Sequence, residues 1–451
     1  MKKDENAVKG FGIILPIVLL TYFMILLDNS IIFTSTVHIS NDLSMSSSQI
    51  AWVSNAYALT FGGLLLFFGR LGDIYGRKYV FLAGLVIFTI ASFLVGVSQS
   101  ATMIIAMRAF QGIGSAILAP TTLALLMDTY KGEKRSRAIA YYGVTAGLGS
   151  SFGLLIGGLI TSYSNWRYGF LINVPVGILM CILTWIFVPQ SERNSKSRVD
   201  WWGAVFSVIA FSGLVYFIDG QWLRLYAGLL SLLAFVCLII VESKHQQPLM
   251  PLSLFRSGIR ASAYISRFFF MAASMSYFFL MPQALQNFYG FTPFQAALAF
   301  IPMTATQFVV SLLVNKLSDK FSHIAVLIAG AVIDGIGIAL GALIGLNYGY
   351  VWGVAIPMLL IGIGQGLVVA PMTIKAVEGA NETESGAASG VVNTVHQIGG
   401  AVGLSIVTLL TANIIEANVM IVRAQYIMLI FAVIMVLAGI NIARVEKTHR
   451  N

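Results

Sequence analysis

Charge is scarce in this sequence. Lys, Arg, Asp and Glu together make up 10% of 451 residues, while hydrophobic residues make up 58%. A soluble domain carries about 25% charged residues because its surface must face water, so a water-soluble globular fold is excluded. Cysteine is nearly absent. Cys181 and Cys237 both fall inside apolar runs, which excludes a disulfide framework or a cysteine metal cluster. There is no P-loop to couple ATP and no paired-carboxylate metal motif in the Asp-containing loops. Neither a ring of charges nor a filter-like loop of the kind a channel needs is visible. No small-residue cleavage site follows the first apolar run, which reads as a spanning helix and not as a removable leader.

What remains is a series of long apolar runs. A bilayer core takes roughly 20 apolar residues per helix. Such runs stand at 12–34, 49–68, 79–97, 101–127, 138–161, 168–188, 203–219, 225–241, 262–285, 294–314, 324–346, 351–372, 388–411 and 423–443. Fourteen crossings put both termini on one side. Of the 27 Lys and Arg residues, only Arg167, Arg224 and Arg423 fall on the other side, and Arg108 falls within a helix. Arg267, near the start of the ninth run, is counted here with the basic face. Positive charge collects on the cytoplasmic side, so both termini are expected there. The net charge of +9 is then a membrane-surface feature, and nucleic acid is not expected as a partner.

The two ends of the chain repeat each other. Arg70-Leu71-Gly72-Asp73 after the second run matches Lys316-Leu317-Ser318-Asp319 after the tenth, an offset of 246. Gly112-Ile113-Gly114 and Ala119-Pro120 match Gly362-Ile363-Gly364 and Ala370-Pro371 at offsets of 250 and 251. Runs 1–6 therefore correspond to runs 9–14 in the same orientation, with runs 7 and 8 as an insert. The expected architecture is an all-α polytopic membrane protein in a six-plus-two-plus-six plan. Its units are 1–189 (first bundle), 190–260 (loop, inserted pair and linker) and 261–451 (second bundle).

Gly69-Arg70-Leu71-Gly72-Asp73-Ile74-Tyr75-Gly76-Arg77-Lys78 fills the loop after the second run. Its glycines permit a tight turn, and Asp73 can cap the next helix or meet the loop arginines as a charge clasp. This segment resembles the signature loop of the major facilitator superfamily. Further residues narrow the resemblance to the fourteen-helix drug:proton antiporters, across essentially the whole chain. They are Leu27-Asp28-Asn29-Ser30 in the first helix and Arg108, Gln111, Gly112 and Gly114 in the fourth. Trp166-Arg167, Phe170 to Pro175, Glu242, Pro248-Leu249 and Leu254-Phe255-Arg256 also match. The antiporter motif of the fifth helix is partial: Gly149, Gly153, Gly157 and Gly158 fit, but Leu154 stands where proline is expected. Phe33 likewise replaces an asparagine of the first-helix motif. The resemblance implies a major facilitator fold and a multi-pass cell-membrane protein, bacterial in type. Its implied activity is multidrug efflux driven by a proton gradient, with no cofactor and no enzymatic step.

The residues that would carry this are few. An acidic side chain near a helix centre disfavours insertion by about 2.5–3.5 kcal/mol, so Asp28 needs a reason to be there. With the first helix ending near Thr34, Asp28 lies about 9 Å from its outer end, and Arg108 lies about 10 Å below the same surface in the fourth helix. Burial and a nearby guanidinium push a carboxyl in opposite directions. The expectation is that Asp28 binds the coupling proton and that Arg108 drives it off when close. The competing reading is a static ion pair. Asp334, deep in the eleventh helix, is a second candidate for protons or a cationic drug, with His396 at comparable depth on the thirteenth. Gly69, Asp73, Gly76 and Arg77 are the conformational loop, and Gly149, Gly153 and Gly157 are a small-residue stripe expected to act as a sliding gate. Trp52, Tyr57, Tyr277, Phe279, Gln283, Gln365, Asn393 and His396 are candidates for a cavity that takes amphiphilic, often cationic, molecules. A monomer suffices. The same scaffold could export a metabolite or lipid; an intramembrane transferase is remote.

Overall fold

The computed structural model describes residues 11–190, 200–220, 222–245, 247–380 and 385–450. Fourteen helices are long and apolar enough to cross a membrane: α1 (Ile14–Asp42), α2 (Ser47–Gly72), α3 (Arg77–Gly96), α4 (Ala101–Thr129), α5 (Gly132–Tyr163), α6 (Trp166–Phe187) and α7 (Trp201–Asp219), followed by α8 (Arg224–Lys244), α9 (Gly258–Tyr289), α10 (Pro293–Phe321), α11 (His323–Ile344), α12 (Val351–Val377), α13 (Gly386–Thr411) and α14 (Ala417–Thr448). No strand occurs among the described residues. Helix was the only backbone solution open to such segments, because lipid offers no partner for N–H or C=O groups. Helix α1 is longer than its apolar run suggests. It continues past Thr34 to Asp42, whose carboxylate takes the Trp166 indole N–H at 3.1 Å and the Arg167 guanidinium.

Helices α1–α6 pack on one another, chiefly α1 on α5, α2 on α4, and α3 on α4 and α6. Helices α9–α14 do the same, with α9 on α13 and α14, α11 on α12 and α14, and α10 on α12. The pair α7–α8 packs on itself, and α7 leans on both α2 and α13.

The sequence repeat is also a repeat of contacts. Ser46 and Thr292 each open a helix with a capping box closed by Gln49 and Gln295; these residues stand 246 apart and satisfy the same orphan N–H groups. A Cβ on Gly112 would lie 2.1 Å from Thr60 Oγ1 and 2.5 Å from the Tyr57 carbonyl. On Gly362 it would lie 2.1 Å from Thr306 Oγ1 and 2.3 Å from the Met303 carbonyl. Gly114 abuts the Phe88 backbone as Gly364 abuts that of Asp334. These are the same helix crossings built twice, and glycine is required because backbone meets backbone.

One pair of repeat positions differs in an instructive way. Gly76 turns the chain after α2 at φ +93°, and Ser322 turns it after α10 at φ +80°, ψ 151°. Only glycine adopts that region freely, and other residues there carry about 1–3 kcal/mol of strain. Ser322 caps the next helix by accepting from Ala325 N–H at 3.3 Å, but serine is worth only a few tenths of a kcal/mol over glycine as a cap. Ser322→Gly is therefore expected to stabilise the protein by about 1 kcal/mol, and Gly76→Ser to destabilise it by a similar amount. Thermal unfolding of the two variants in detergent checks the opposite signs.

The two six-helix groups meet unevenly. Along α2 and α13 they touch over much of their length: Asn55 Nδ2 donates to Ser405 Oγ at 2.8 Å, Thr394 Oγ1 to the Gly62 carbonyl at 3.0 Å, and Gly390 faces Leu66. Between α5 and α10 the close contacts fall where α5 finishes and α10 begins. There Gly158 abuts the Pro293 carbonyl and Phe294 N–H donates to Ser162 Oγ at 2.8 Å. Toward the other end, a Cβ on Gly147 would meet only Phe308, at 3.8 Å, and one on Gly143 would meet nothing within 4 Å. On the α5–α10 side the groups are closed at one end and parted toward the end where α1 begins and α14 finishes.

Candidate functional site

The first-helix acid and the fourth-helix arginine meet. Arg108 Nη1 lies 2.7 Å from Asp28 Oδ2, with both side chains fully buried. Asp28 Oδ1 accepts from Gln111 Nε2 at 2.8 Å and from Asn173 Nδ2 at 2.9 Å. Gln111 also donates to Ser92 Oγ at 2.7 Å and accepts from Arg108 Nη1 at 2.6 Å. Arg108 Nε reaches the Val53 carbonyl at 3.2 Å. Both oxygens of Asp28 act only as acceptors, so this arrangement holds a carboxylate. One donor is left over, because Arg108 Nη2 is buried without a partner.

Five helices supply the network: α1, α2, α3, α4 and α6. Arg108 and Gln111 share one face of α4 because they are three residues apart. Asn173 sits just past the break at Ile172 that divides α6, which turns its amide inward. The guanidinium lies 4.3 Å above the ring of Tyr57 and 5.6 Å from that of Phe170, so aromatic faces complete its enclosure. Tyr57, expected in a substrate cavity, is instead a wall of the acid site, its hydroxyl donating to Ser115 Oγ at 2.7 Å. Sequence reading singled out Asp28, Arg108 and Gln111 and quoted Asn173 within a motif, but it missed Ser92. A lone serine in an apolar helix gives no signal of its own.

The glycine stripe packs on α1. Gly149 abuts Leu26, Gly153 the backbone of Leu27, and Gly157 that of Ile31. Next to the stripe, Gly158 meets the other six-helix group, where a Cβ would lie 2.7 Å from the Pro293 carbonyl. Leu154 and Phe33, the two departures from the family motifs, fall in one apolar cluster that crosses between the groups. The Phe33 ring lies 5.8 Å from that of Phe278 of α9, tilted by 30°. The loop residues hold together as well: Arg77 donates to the Ala124 carbonyl at 2.8 Å and pairs with Asp128 at 2.6 Å. Gly69 lies against Pro120. The side chain of Asp73 lies outside the described residues.

The remaining candidates scatter. Trp52 packs against Tyr216 of α7. Phe279 and Gln283 line a small recess with Ser47, Ile50 and Thr408. Tyr277 is buried beside Phe300, within electrostatic reach of Asp334. Gln365 donates to Ser274 Oγ at 3.2 Å. Asn393 is exposed and donates to the Ser389 carbonyl. Asp334 is buried and its Oδ1 has no partner. Asp334 and His396 are not brought together: α11 lies against α12 and α14, and α13 against α2 and α9. Equal depth did not mean equal azimuth.

The profile of the Major Facilitator Superfamily matches residues 18–404. A cephamycin export protein of Amycolatopsis lactamdurans is 34% identical over 407 residues, 87% of this chain and 83% of that protein. A methylenomycin A resistance protein of Bacillus subtilis is 31% identical over 412 residues, 89% and 88% of the two chains. In structure, a bacterial homologue of the human lysosomal transporter Spinster superposes with a TM-score of 0.70 at 14% identity, covering 97% of this chain and 99% of the other. With fourteen apolar helices, a duplicated set of helix crossings and relatives named for antibiotic export and resistance, the chain is a multi-pass membrane transporter of the Major Facilitator Superfamily.

Proposed function

We propose that this protein is a proton-coupled antiporter that exports amphiphilic drugs or dyes, cationic ones among them, by alternating access. The observation that carries the reading is the closed Asp28–Arg108 pair inside the membrane, in a molecule whose two halves part between α5 and α10 toward one end. Units 1–189 and 261–451 rock against each other, joined by 190–260, and the basic face with both termini is cytoplasmic. The present state is then open to the cytoplasm, with Asp28 as a carboxylate whose proton has left. Drug binds from that side. After the switch, an outside proton reaches Asp28, breaks its hold on Arg108 and is carried inward as the cycle returns. The proton gradient is the only energy source, and a monomer completes the cycle.

The direct test is dye movement in proteoliposomes with an imposed pH gradient. Dye should move against its own gradient only when the pH gradient is present. Gradient-independent leak, or no movement across a broad panel of dyes and antibiotics, would overturn the reading. Asp334 is proposed as a second proton or cation contact, supported by its burial and its unpartnered oxygen. Asp334→Asn is expected to abolish export of some cationic dyes, by about tenfold or more, while sparing others. Unchanged efflux of every dye would remove Asp334 from the mechanism.

A further inference from the structure

Sequence reading counted Arg267 with the charges of the basic face, but the structure buries it. It sits nine residues into α9, with 8% of its surface exposed. Ala263, Tyr264, Phe270 and Met271 on the same helix face pack with side chains of α11, α12 and α13. The spacing places Arg267 in the middle of that inward stripe. There its Nε and Nη1 have no hydrogen-bond partner. Among the described residues no carboxylate pairs with it. Glu378 and Glu446, at the end of the same bundle, are taken by Lys375 at 2.7 and 3.3 Å.

His396 of α13 lies within electrostatic reach of Arg267, and its Nδ1 is buried and unpartnered as well. Contrast Arg108, of comparable burial, which has a carboxylate, a glutamine and a carbonyl. Among the described residues the Phe270 ring, 5.9 Å from the guanidinium carbon, is the one contact it makes with a π face; a buried guanidinium without an acceptor costs several kcal/mol, and unmet guanidinium donors within reach of a second nitrogen base are the complement of an anion. The exposed residue beside the pair is Asn393, one turn from His396; on the other side Ser274, two turns from Arg267, is buried and holds Gln365.

We infer that Arg267 and His396 form a binding site for the anionic headgroup of an amphiphile, a carboxylate or a phosphate monoanion on an apolar body. The inference rests on the efflux reading for its physiological meaning and extends the substrate class from cations to anions. A planar guanidinium suits such a group because it donates two parallel N–H bonds to two oxygens.

The test uses the purified full-length protein in a neutral detergent and a matched pair of xanthene dyes, one with a free carboxylate and the other its methyl ester. Fluorescence anisotropy reads binding. The wild type is expected to prefer the carboxylate. Arg267→Gln should weaken that dye by about tenfold or more and leave the ester within about twofold. His396→Gln should act in the same direction, and Arg267→Lys should retain part of the preference. A wild type without preference, or variants that weaken both dyes in parallel, would overturn the site. Competition by short-chain phosphatidylglycerol against phosphatidylcholine tells a lipid phosphate from a drug carboxylate as occupant. Efflux of the ester from gradient-energised vesicles separates the two readings. If it fails while the carboxylate preference stands, the exporter reading falls alone. If it proceeds without any preference, the anion site falls alone.

Discussion

Asp28→Asn is expected to reduce gradient-driven dye export to that of protein-free vesicles while leaving substrate exchange at equal pH in place. Asparagine has the same shape as aspartate but binds no proton in the working range. Its carbonyl can still accept from Gln111 and Asn173, which lie 2.8 and 2.9 Å from Asp28 Oδ1. The introduced amide, however, would face Arg108 Nη1 across 2.7 Å, donor against donor, and leave a buried guanidinium uncompensated. Breaking a buried pair from one side costs about 3–5 kcal/mol, so the single variant will also melt earlier. A double variant removes that ambiguity. Asp28→Asn with Arg108→Gln takes away both charges, and neutral replacement of a buried pair is often close to thermally neutral. If Asp28 is the proton carrier, the double variant recovers the melting temperature and still fails to couple. If the pair is a static fastener, recovered stability brings recovered transport.

The parts of this molecule legible in its sequence are those set by one helix at a time. Span number follows from run length, and the duplicated crossings follow from residues such as Gly112 and Gly362, which act through the local spacing of small side chains. Asp28 and Arg108 stood out because each is a charge where lipid penalises charge. What was not legible depends on how helices are rotated about their axes. Tyr57 was assigned to a cavity from its chemistry, and only the α2–α4 crossing turns its ring under Arg108. Asp334 and His396 share a depth, which sequence shows, but belong to helices that are not packed together, which it does not. The burial of Arg267 was hidden for another reason: α9 begins at Gly258, earlier than the apolar run, so a residue near the run's edge lies two and a half turns along the helix. Helix α1 erred the same way at its other end, running to Asp42 because polar residues there are clasped by Trp166 and Arg167.

Gly153→Leu is expected to abolish transport while the protein still reaches the membrane, and the reason is its position beside Asp28. A Cβ at this site would lie 2.9 Å from both the Cα and the carbonyl oxygen of Leu27, and 2.8 Å from Ser30 Cβ. Backbone atoms cannot rotate aside, so α1 and α5 must separate, and a leucine adds three further carbons beyond Cβ. The separation falls on the residue next to Asp28, which is held to three partners at 2.7–2.9 Å. Hydrogen bonds of that length weaken steeply with an added ångström. Gly149 and Gly157 abut α1 one turn to either side, at 2.8 Å from Leu26 Cβ and Ile31 Cα, so the helix cannot tilt away locally and shifts as a unit. Overpacking of this kind costs about 1–3 kcal/mol or more, which a fourteen-helix protein in a bilayer survives, because each helix is held in place by lipid as well as by its neighbours. Gly153→Ala grades the effect: it introduces the same first contact with no further bulk and should retain a reduced rate. Membrane-fraction immunoblots with dye efflux on the same vesicles check both variants. Full transport by Gly153→Leu at normal abundance would show that α1 does not need the α5 stripe to hold Asp28 in register.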